Sequence, residues 1–212
     1  MILNALCFLL AAEPDVRVLE ERGIGSPIVC TITRTAVESG GLIWEEKSVE
    51  DRKTSWLDRR EIDGKGGFVS QLIDWRSEGG DSLWQVGVEA DQLSVTMVKY
   101  RGEVMGGTTI FKKLAMEGGD PSLLWWNGVN PEKGTKVNGA VYLALNGVFD
   151  LEVEYVGDFE VMVKGKRYAT HKVVRRLSAR NETWWVDDKG LPVLRYFWTK
   201  SEDKPHRIDE MK

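Results

Sequence analysis

Histidine is scarce in this chain: His171 and His206 are the two among 212 residues. Two imidazoles with no third ligand at recognisable spacing do not make a zinc centre, so no metal is expected. Cysteine is equally scarce. Cys7 lies in an N-terminal apolar run and Cys30 in the extended stretch "PIVCTITRT". That count excludes a disulfide framework and a cysteine-based zinc site, and Cys30 reads as a small buried hydrophobe. Long blocks of one charge are missing too. The formal net charge is -4, with both signs interspersed, whereas a nucleic-acid footprint needs clustered Lys and Arg. The nearest approach is Lys164, Lys166, Arg167, Lys172, Arg175 and Arg176. It reads as the solvated face of a basic hairpin, and no nucleic-acid partner is expected.

Catalytic signatures are also absent. The sequence contains no G-x-S-x-G, no H-E-x-x-H and no Walker loop. Ser201 and Lys204 match the spacing S-x-x-K, but they fall where a turn between the last strands is expected. The glycine pairs at 66–67, 79–80, 106–107 and 118–119 are turn residues. None sits between a strand and a long helix that would aim its N-terminus at a phosphate. Asp187 and Asp188 form the best-placed carboxylate pair. Yet Asp-Asp-Lys-Gly between two strands is good turn chemistry, because Asp accepts local backbone hydrogen bonds and Gly supplies positive φ. No catalytic residue and no cofactor are therefore expected, and the chain does not read as an enzyme.

What is present begins with "MILNALCFLLAAEPD". An apolar run ends in two alanines and meets polar residues at once, which reads as a secretory signal over 1–12. No later run approaches the ~18 apolar residues that a spanning helix needs, so no transmembrane span is expected in the mature chain. The protein is expected to be periplasmic or secreted, with residues 13–212 forming one β domain.

From about residue 26 the pattern is β. Leu151 to Tyr155 alternates apolar and acidic residues, as a half-buried strand does. Further strands are expected at 28–37, 42–46, 68–75, 83–88, 93–100, 108–114, 159–163 and 167–177, punctuated by glycine-rich turns. Such close spacing favours an antiparallel meander over βαβ units, which need crossover helices. Asp120 as N-cap and Pro121 at the first helical position predict a short helical bridge over 120–128. It divides an N-terminal meander (13–119) from C-terminal strands (129–212).

Tryptophan is abundant, with nine residues. "NETWWVDDKGLPVLRYFW" carries three of them beside a tyrosine and a phenylalanine. Neighbours on a strand point to opposite faces, so both faces of this hairpin bear aromatics. A sheet covered on both faces is expected here, since an exposed set would make a large apolar patch. Trp44, Trp84, Tyr196 and Trp198 are expected on the inward faces of a curved sheet. Trp125 or Trp126 is expected to help cover the groove from the helical turn.

The segments "DPSLLWWNGVNPEKG", "VGDFEVMVKGKRYATHKVVRR" and "ETWWVDDKGLPVLRYFW" resemble periplasmic proteins of the LolA/LolB-like superfamily. The matching residues are Gly157, Phe159, Val161, Gly165, Tyr168, Ala169, Lys172, Val173, Trp185, Asp187, Gly190, Leu191, Pro192 and Val193. The resemblance covers about 120–212. It implies a strongly curved antiparallel sheet, a half-open barrel with one or two short helical segments over its concave face. In the carrier members that cavity holds acyl chains of lipoproteins. The chain departs from them in having no lipobox and no long amphipathic helix after the apolar start.

The function expected from these readings is a non-enzymatic exported binding module. Its groove would take a lipid, an acyl chain or lipoprotein, or a hydrophobic segment, because such ligands need a mostly apolar concave site. The alternative is a structural or assembly protein of the cell envelope, with a self-filled barrel and edge strands that bind a partner.

Overall fold

The computed structural model describes residues 13–22, 28–38, 40–50, 54–64, 68–89, 92–111, 131–143, 147–178 and 180–212. Eight strands come first: β1 (Asp15–Arg22), β2 (Val29–Ala36), β3 (Leu42–Glu50), β4 (Thr54–Ile62), β5 (Phe68–Arg76), β6 (Ser82–Glu89), β7 (Gln92–Tyr100) and β8 (Glu103–Phe111). Six follow: β9 (Lys136–Leu143), β10 (Gly147–Val163), β11 (Lys166–Leu177), β12 (Asn181–Val186), β13 (Pro192–Trp198) and β14 (Arg207–Met211). They form one antiparallel sheet of 14 strands in the order β8-β7-β6-β5-β4-β3-β2-β1-β14-β13-β12-β11-β10-β9. No helix occurs among the described residues, and so none long and apolar enough to cross a membrane. The helical bridge expected over 120–128 lies outside them.

Neighbours in the sheet are hairpins, with one exception. β1 pairs with β14, Leu19 opposite Met211 and Glu21 opposite Asp209. Two meanders are thereby joined back to back, and among the described residues the edges of the sheet are β8 and β9. The sheet rolls over on itself. Leu19, Cys30, Ile32, Leu42 and Trp44 of β1–β3 share one core with Leu151, Val153 and Tyr155 of β10, Val173 of β11 and Trp184 of β12. A flat sheet in this order would hold those strands far apart. A second core joins Ile73, Trp84, Val86, Leu93 and Val95 to Ala140 and Tyr142 on the opposite edge strand, β9. Trp44 and Trp84 are 2% and 1% exposed. Truncating one such side chain costs about 3–5 kcal/mol.

The outer face of β12–β14 is covered as well. The β10–β11 hairpin is a long arm, and its register shifts between Tyr155 and Gly157. Gly157 sits at φ 139, a backbone region that side chains disfavour. The bulge bends the arm across the outer face. Val163 packs with Trp185, Val193 and Leu194, flanked by Tyr168, Tyr196 and Ile208. At the arm's tip, Lys164 Nζ reaches Glu20 of β1 at 3.4 Å. This is why β12 and β13 are buried almost throughout, and why both faces of the hairpin carry aromatics.

Several elements differ from the sequence-based expectation. β1 and β4 were not expected, because DVRVLEER and TSWLDRREI interleave charges with apolar residues. β9 was not expected either. β8 begins at Glu103, not at 108. The strands expected at 151–155 and 159–163 are one strand, β10, kinked by its bulge rather than broken.

Candidate functional site

Strand alternation sends Leu42, Trp44, Glu46 and Ser48 of β3 to the inner face, all four buried. Glu46 meets Arg195 there: Nη1 of the guanidinium donates to Oε1 at 2.8 Å. Nη2 of Arg195 donates to Asp209 at 2.8 Å. Arg195 thus ties β3 to β13 and β14 across the interior, and it is 1% exposed. Its guanidinium lies 5.5 Å from the ring centroids of both Trp184 and Phe197, where the ring quadrupole favours a cation. Trp184 stacks on Trp44 with centroids 6.3 Å apart. Arg175 lies 4.7 Å from the Trp184 ring and Arg207 5.0 Å from the Phe197 ring.

The remaining carboxylates of the inner face are held similarly. Glu182 accepts from Trp184 Nε1 at 3.1 Å and faces Arg180 at 2.8 Å. Asp209 accepts from Arg207 Nε at 2.7 Å. Asp58 accepts from Arg60 at 2.6 Å and from Gln71 at 2.9 Å. Burial works to raise the Glu46 carboxyl, but the charge and hydrogen bond of Arg195 prevail and hold it below its ordinary value. Burial likewise works against the Arg195 cation, and Glu46 with its neighbours keeps it firmly charged. Cys30 is pushed up to about 12 by burial and by the adjacent Glu46. It is therefore a thiol at neutral pH and a poor nucleophile.

These groups enclose a chamber of about 100 Å³, walled by Arg60, Arg175, Arg180, Arg195 and Arg207 together with Glu46, Asp58, Glu182, Trp184 and Phe197. It adjoins a wider mouth of about 280 Å³. Trp56, Ile73, Leu143, Arg180 and Arg207 border both spaces, and Ile28 and Trp75 complete the apolar rim. The mouth opens at the end of the roll bounded by Glu50 at the end of β3, Thr54 at the start of β4, Trp75 near the end of β5, Leu143 at the end of β9 and Arg207 at the start of β14. Together the spaces reach the lower end of the ~300–1,000 Å³ usual for small-molecule sites. A separate cleft of about 590 Å³ lies between the two sheet edges, lined by Trp84, Met97, Tyr100, Met105, Phe111 and Tyr142.

Of the expected groove residues, Trp44 and Trp84 lie on the inner face, in different cores. Trp44 backs the chamber through Trp184, and Trp84 borders the edge cleft. Tyr196 and Trp198 do not face inward. Tyr196 pairs with Thr183 and meets Trp185 edge-on at 4.7 Å, under the arm. Trp198 donates its Nε1 to Thr183 at 3.1 Å on that same outer face. The inward positions of β13 belong to Arg195 and Phe197, because the ion pairs with Glu46 and Asp209 fix that register. Trp125 and Trp126 lie outside the described residues. Sequence reasoning missed Trp56 and Trp75 at the mouth and the inner arginines. The available signal was phase: Glu46 keeps step with Leu42 and Trp44, and Arg195 with Phe197.

The Asp187 turn behaves as its chemistry dictates. Asp187 Oδ1 accepts from the backbone N–H of Lys189 at 3.0 Å and of Leu191 at 2.9 Å, and Gly190 takes φ 75. Asp187 also pairs with Arg17. Nearby, His171 lies between Asp158 at 2.6 Å and Asp188 at 3.1 Å. Tyr155 donates to Asp158 at 2.6 Å. This group fastens the arm to the β12–β13 turn. Among the described residues no three His, Cys, Asp or Glu side chains stand where they would hold a metal ion.

No protein-family model matches the chain, and no curated protein sequence does. A solved structure is similar throughout: a beta-barrel-like protein of domain of unknown function DUF1849 from Brucella abortus. The likeness covers 94% of this chain and 95% of that one, with a TM-score of 0.57. The fold is β-barrel-like. At 10% identity the likeness carries the fold alone, and membership of the LolA/LolB-like superfamily does not follow from it.

Proposed function

We propose that the protein is an exported, non-enzymatic binding module built as a half-open barrel. It takes the apolar chain of a lipid or acyl compound into the hollow at the open end of the roll. The observation that supports this reading is the mouth itself. Trp56, Trp75, Ile73 and Leu143 form an apolar rim above an interior chamber that the side chains leave partly empty. An aromatic and aliphatic wall with a few convergent polar groups is the usual form of a small-molecule site. Titration with alcohols, fatty acids and phospholipids should shift tryptophan emission, since Trp56 and Trp75 border the site. It should also raise Tm with ligand concentration, because such ligands bind the folded state. In a Gram-negative host the mature chain should be recovered from the periplasm beginning near Glu13. Recovery of intact Met1 from the cytoplasm overturns the exported part of the reading.

A second reading, an envelope scaffold whose edge strand binds a partner, is favoured by β8. Its side chains are exposed almost throughout, with Val104 at 86% and Ile110 at 60%. Open edges of this kind invite strand addition. If no apolar compound changes emission or Tm, the scaffold reading replaces the first.

A further inference from the structure

We infer that the ligand carries a single carboxylate: an amphipathic monocarboxylate, seated head inward against Arg195, Arg207 and Arg180, with its tail among Trp56, Trp75 and Leu143. This rests on the binding-module reading and specifies its ligand class. Three features of the hollow support it.

The first is donor supply. Arg195 uses Nη1 on Glu46 and Nη2 on Asp209, while its buried Nε has no hydrogen-bond partner among the described residues. Arg207 directs Nε and Nη2 at Asp209, and Arg180 directs Nε and Nη2 at Glu182. A guanidinium has five N–H donors in a fixed fork, so each of these two arginines keeps an edge for a further acceptor. Both stand where the chamber meets the mouth.

The second is charge. The chamber wall carries five guanidinium groups against the carboxylates of Glu46, Asp58 and Glu182. Asp209, 1% exposed and bonded to Arg195 and Arg207, supplies a fourth. Glu21 reaches Arg207 from the periphery at 3.9 Å. With Glu21 counted, five guanidinium groups meet five carboxylates, and Glu50 adds another at the mouth, so a ligand charge is taken up by the unused guanidinium edges of Arg207 and Arg180 and not by a net excess. A dianionic phosphate would bring two charges against Glu46 and Glu182 across a chamber of about 100 Å³, with no surplus positive charge to offset them. A neutral head would leave the arginine edges without a charged acceptor, and charge-assisted hydrogen bonds are roughly twice as strong as neutral ones.

The third is polarity along the hollow. Charged groups crowd the inner chamber, while the mouth adds Ile28 and Trp75 to Trp56, Ile73 and Leu143, beside the smaller polar Ser48, Thr54 and Ser55 and a single carboxylate, Glu50. A ligand with one charged end and one apolar end matches that gradient in one orientation. Its charged group would meet guanidinium groups held rigid by aromatic faces.

The test uses decanoate and decan-1-ol, which share a chain and differ in charge. Binding is read by calorimetry and tryptophan emission at pH 7.5, below the aggregation limit of each. Decanoate should bind about tenfold more tightly than decan-1-ol, a difference of roughly 1.4 kcal/mol. Arg207→Met and Arg180→Met should each cut that preference to below about threefold, because they remove charge-assisted bonds that only the decanoate head makes. Arg180 has a half-exposed side chain, so its variant keeps the test valid if Arg207→Met folds poorly. Equal affinity for the two compounds overturns the carboxylate inference and leaves the binding module standing. A preference that survives in both variants overturns the placement of the head. Binding of neither compound overturns the binding module and this inference with it.

Discussion

Arg195→Met tests the interior network most directly. The substitution keeps an unbranched side chain in the same slot and removes the charge. Two bonds of 2.8 Å disappear, one to Glu46 and one to Asp209. Asp209 retains Arg207, at 2.7 Å and 3.1 Å. Glu46 retains the thiol of Cys30 at 3.2 Å, which cannot neutralise a carboxylate. The stranded charge is therefore Glu46. Breaking a buried ion pair by removing one partner costs about 3–5 kcal/mol. With a urea dependence of ~2–3 kcal/mol per molar, the unfolding midpoint at pH 7 should fall by roughly 1–2 M. Equilibrium urea unfolding followed by tryptophan emission measures it, since Trp184 lies against the network. The double variant Arg195→Met with Glu46→Gln strands no charge and should recover at least ~1.5 kcal/mol of the loss, a coupling typical of contacting residues. A loss below about 1 kcal/mol for Arg195→Met, or additive losses in the double variant, would refute the claim that this ion pair holds the interior together.

Acid should unfold the protein in a defined window. Glu46 and Asp158 are held below their ordinary values of 4.5 and 3.8, so the unfolded chain binds more protons as pH falls through that range. Their contribution is present above those values and is lost as pH drops through the folded ones; Tm should decline below about pH 4.5, less steeply in Glu46→Gln, and a flat Tm from pH 5 to pH 3 would contradict this. Gly157→Ala should destabilise by ~1–3 kcal/mol, because the φ of 139 disfavours a side chain. It should also loosen the arm, speeding tryptic cleavage at Lys164 to Arg167; unchanged stability and cleavage would show that the bulge needs no glycine.

The strands that were legible in the sequence are those whose inner positions are apolar, such as the row of Leu83 to Val88 and the alternation around Leu151 and Val153. β4 hid because its inward positions include Asp58 and Arg60, which a hydrophobic pattern cannot register. Gly157 looked like a strand end and is a bend within one strand. The covering of the β12–β13 hairpin on both faces was legible from its aromatics, but the inward row was not. Tyr196 and Trp198 are the more apolar set, yet Arg195 takes the interior because its partners on β3 and β14 wait there. The chamber draws on β3, β4, β5, β9, β11, β12, β13 and β14. Its residues are scattered in both sign and position, so only the rolled sheet assembles them.

The pairing of β1 with β14 has a kinetic consequence. Every other neighbour in the sheet is joined by a short connection or by a hairpin, and can zip as soon as its second strand is made. Arg17 and Met211, by contrast, are 194 positions apart and in contact. Closing so long a loop adds only ~0.6 kcal/mol per doubling of length to the entropy, so the seam is slow to find rather than weak. Non-local pairings of this kind dominate folding times. The chain should pass through a state with two preformed half-sheets whose inner edges, β1 and β14, are bare. In that interval the half-sheets of different molecules can exchange partners, β1 of one accepting β14 of another. Strand-swapped dimers formed at high concentration are thus the natural misassembly of this topology, and the salt bridge between Arg22 and Glu210 would form across the swapped seam as readily as within one chain.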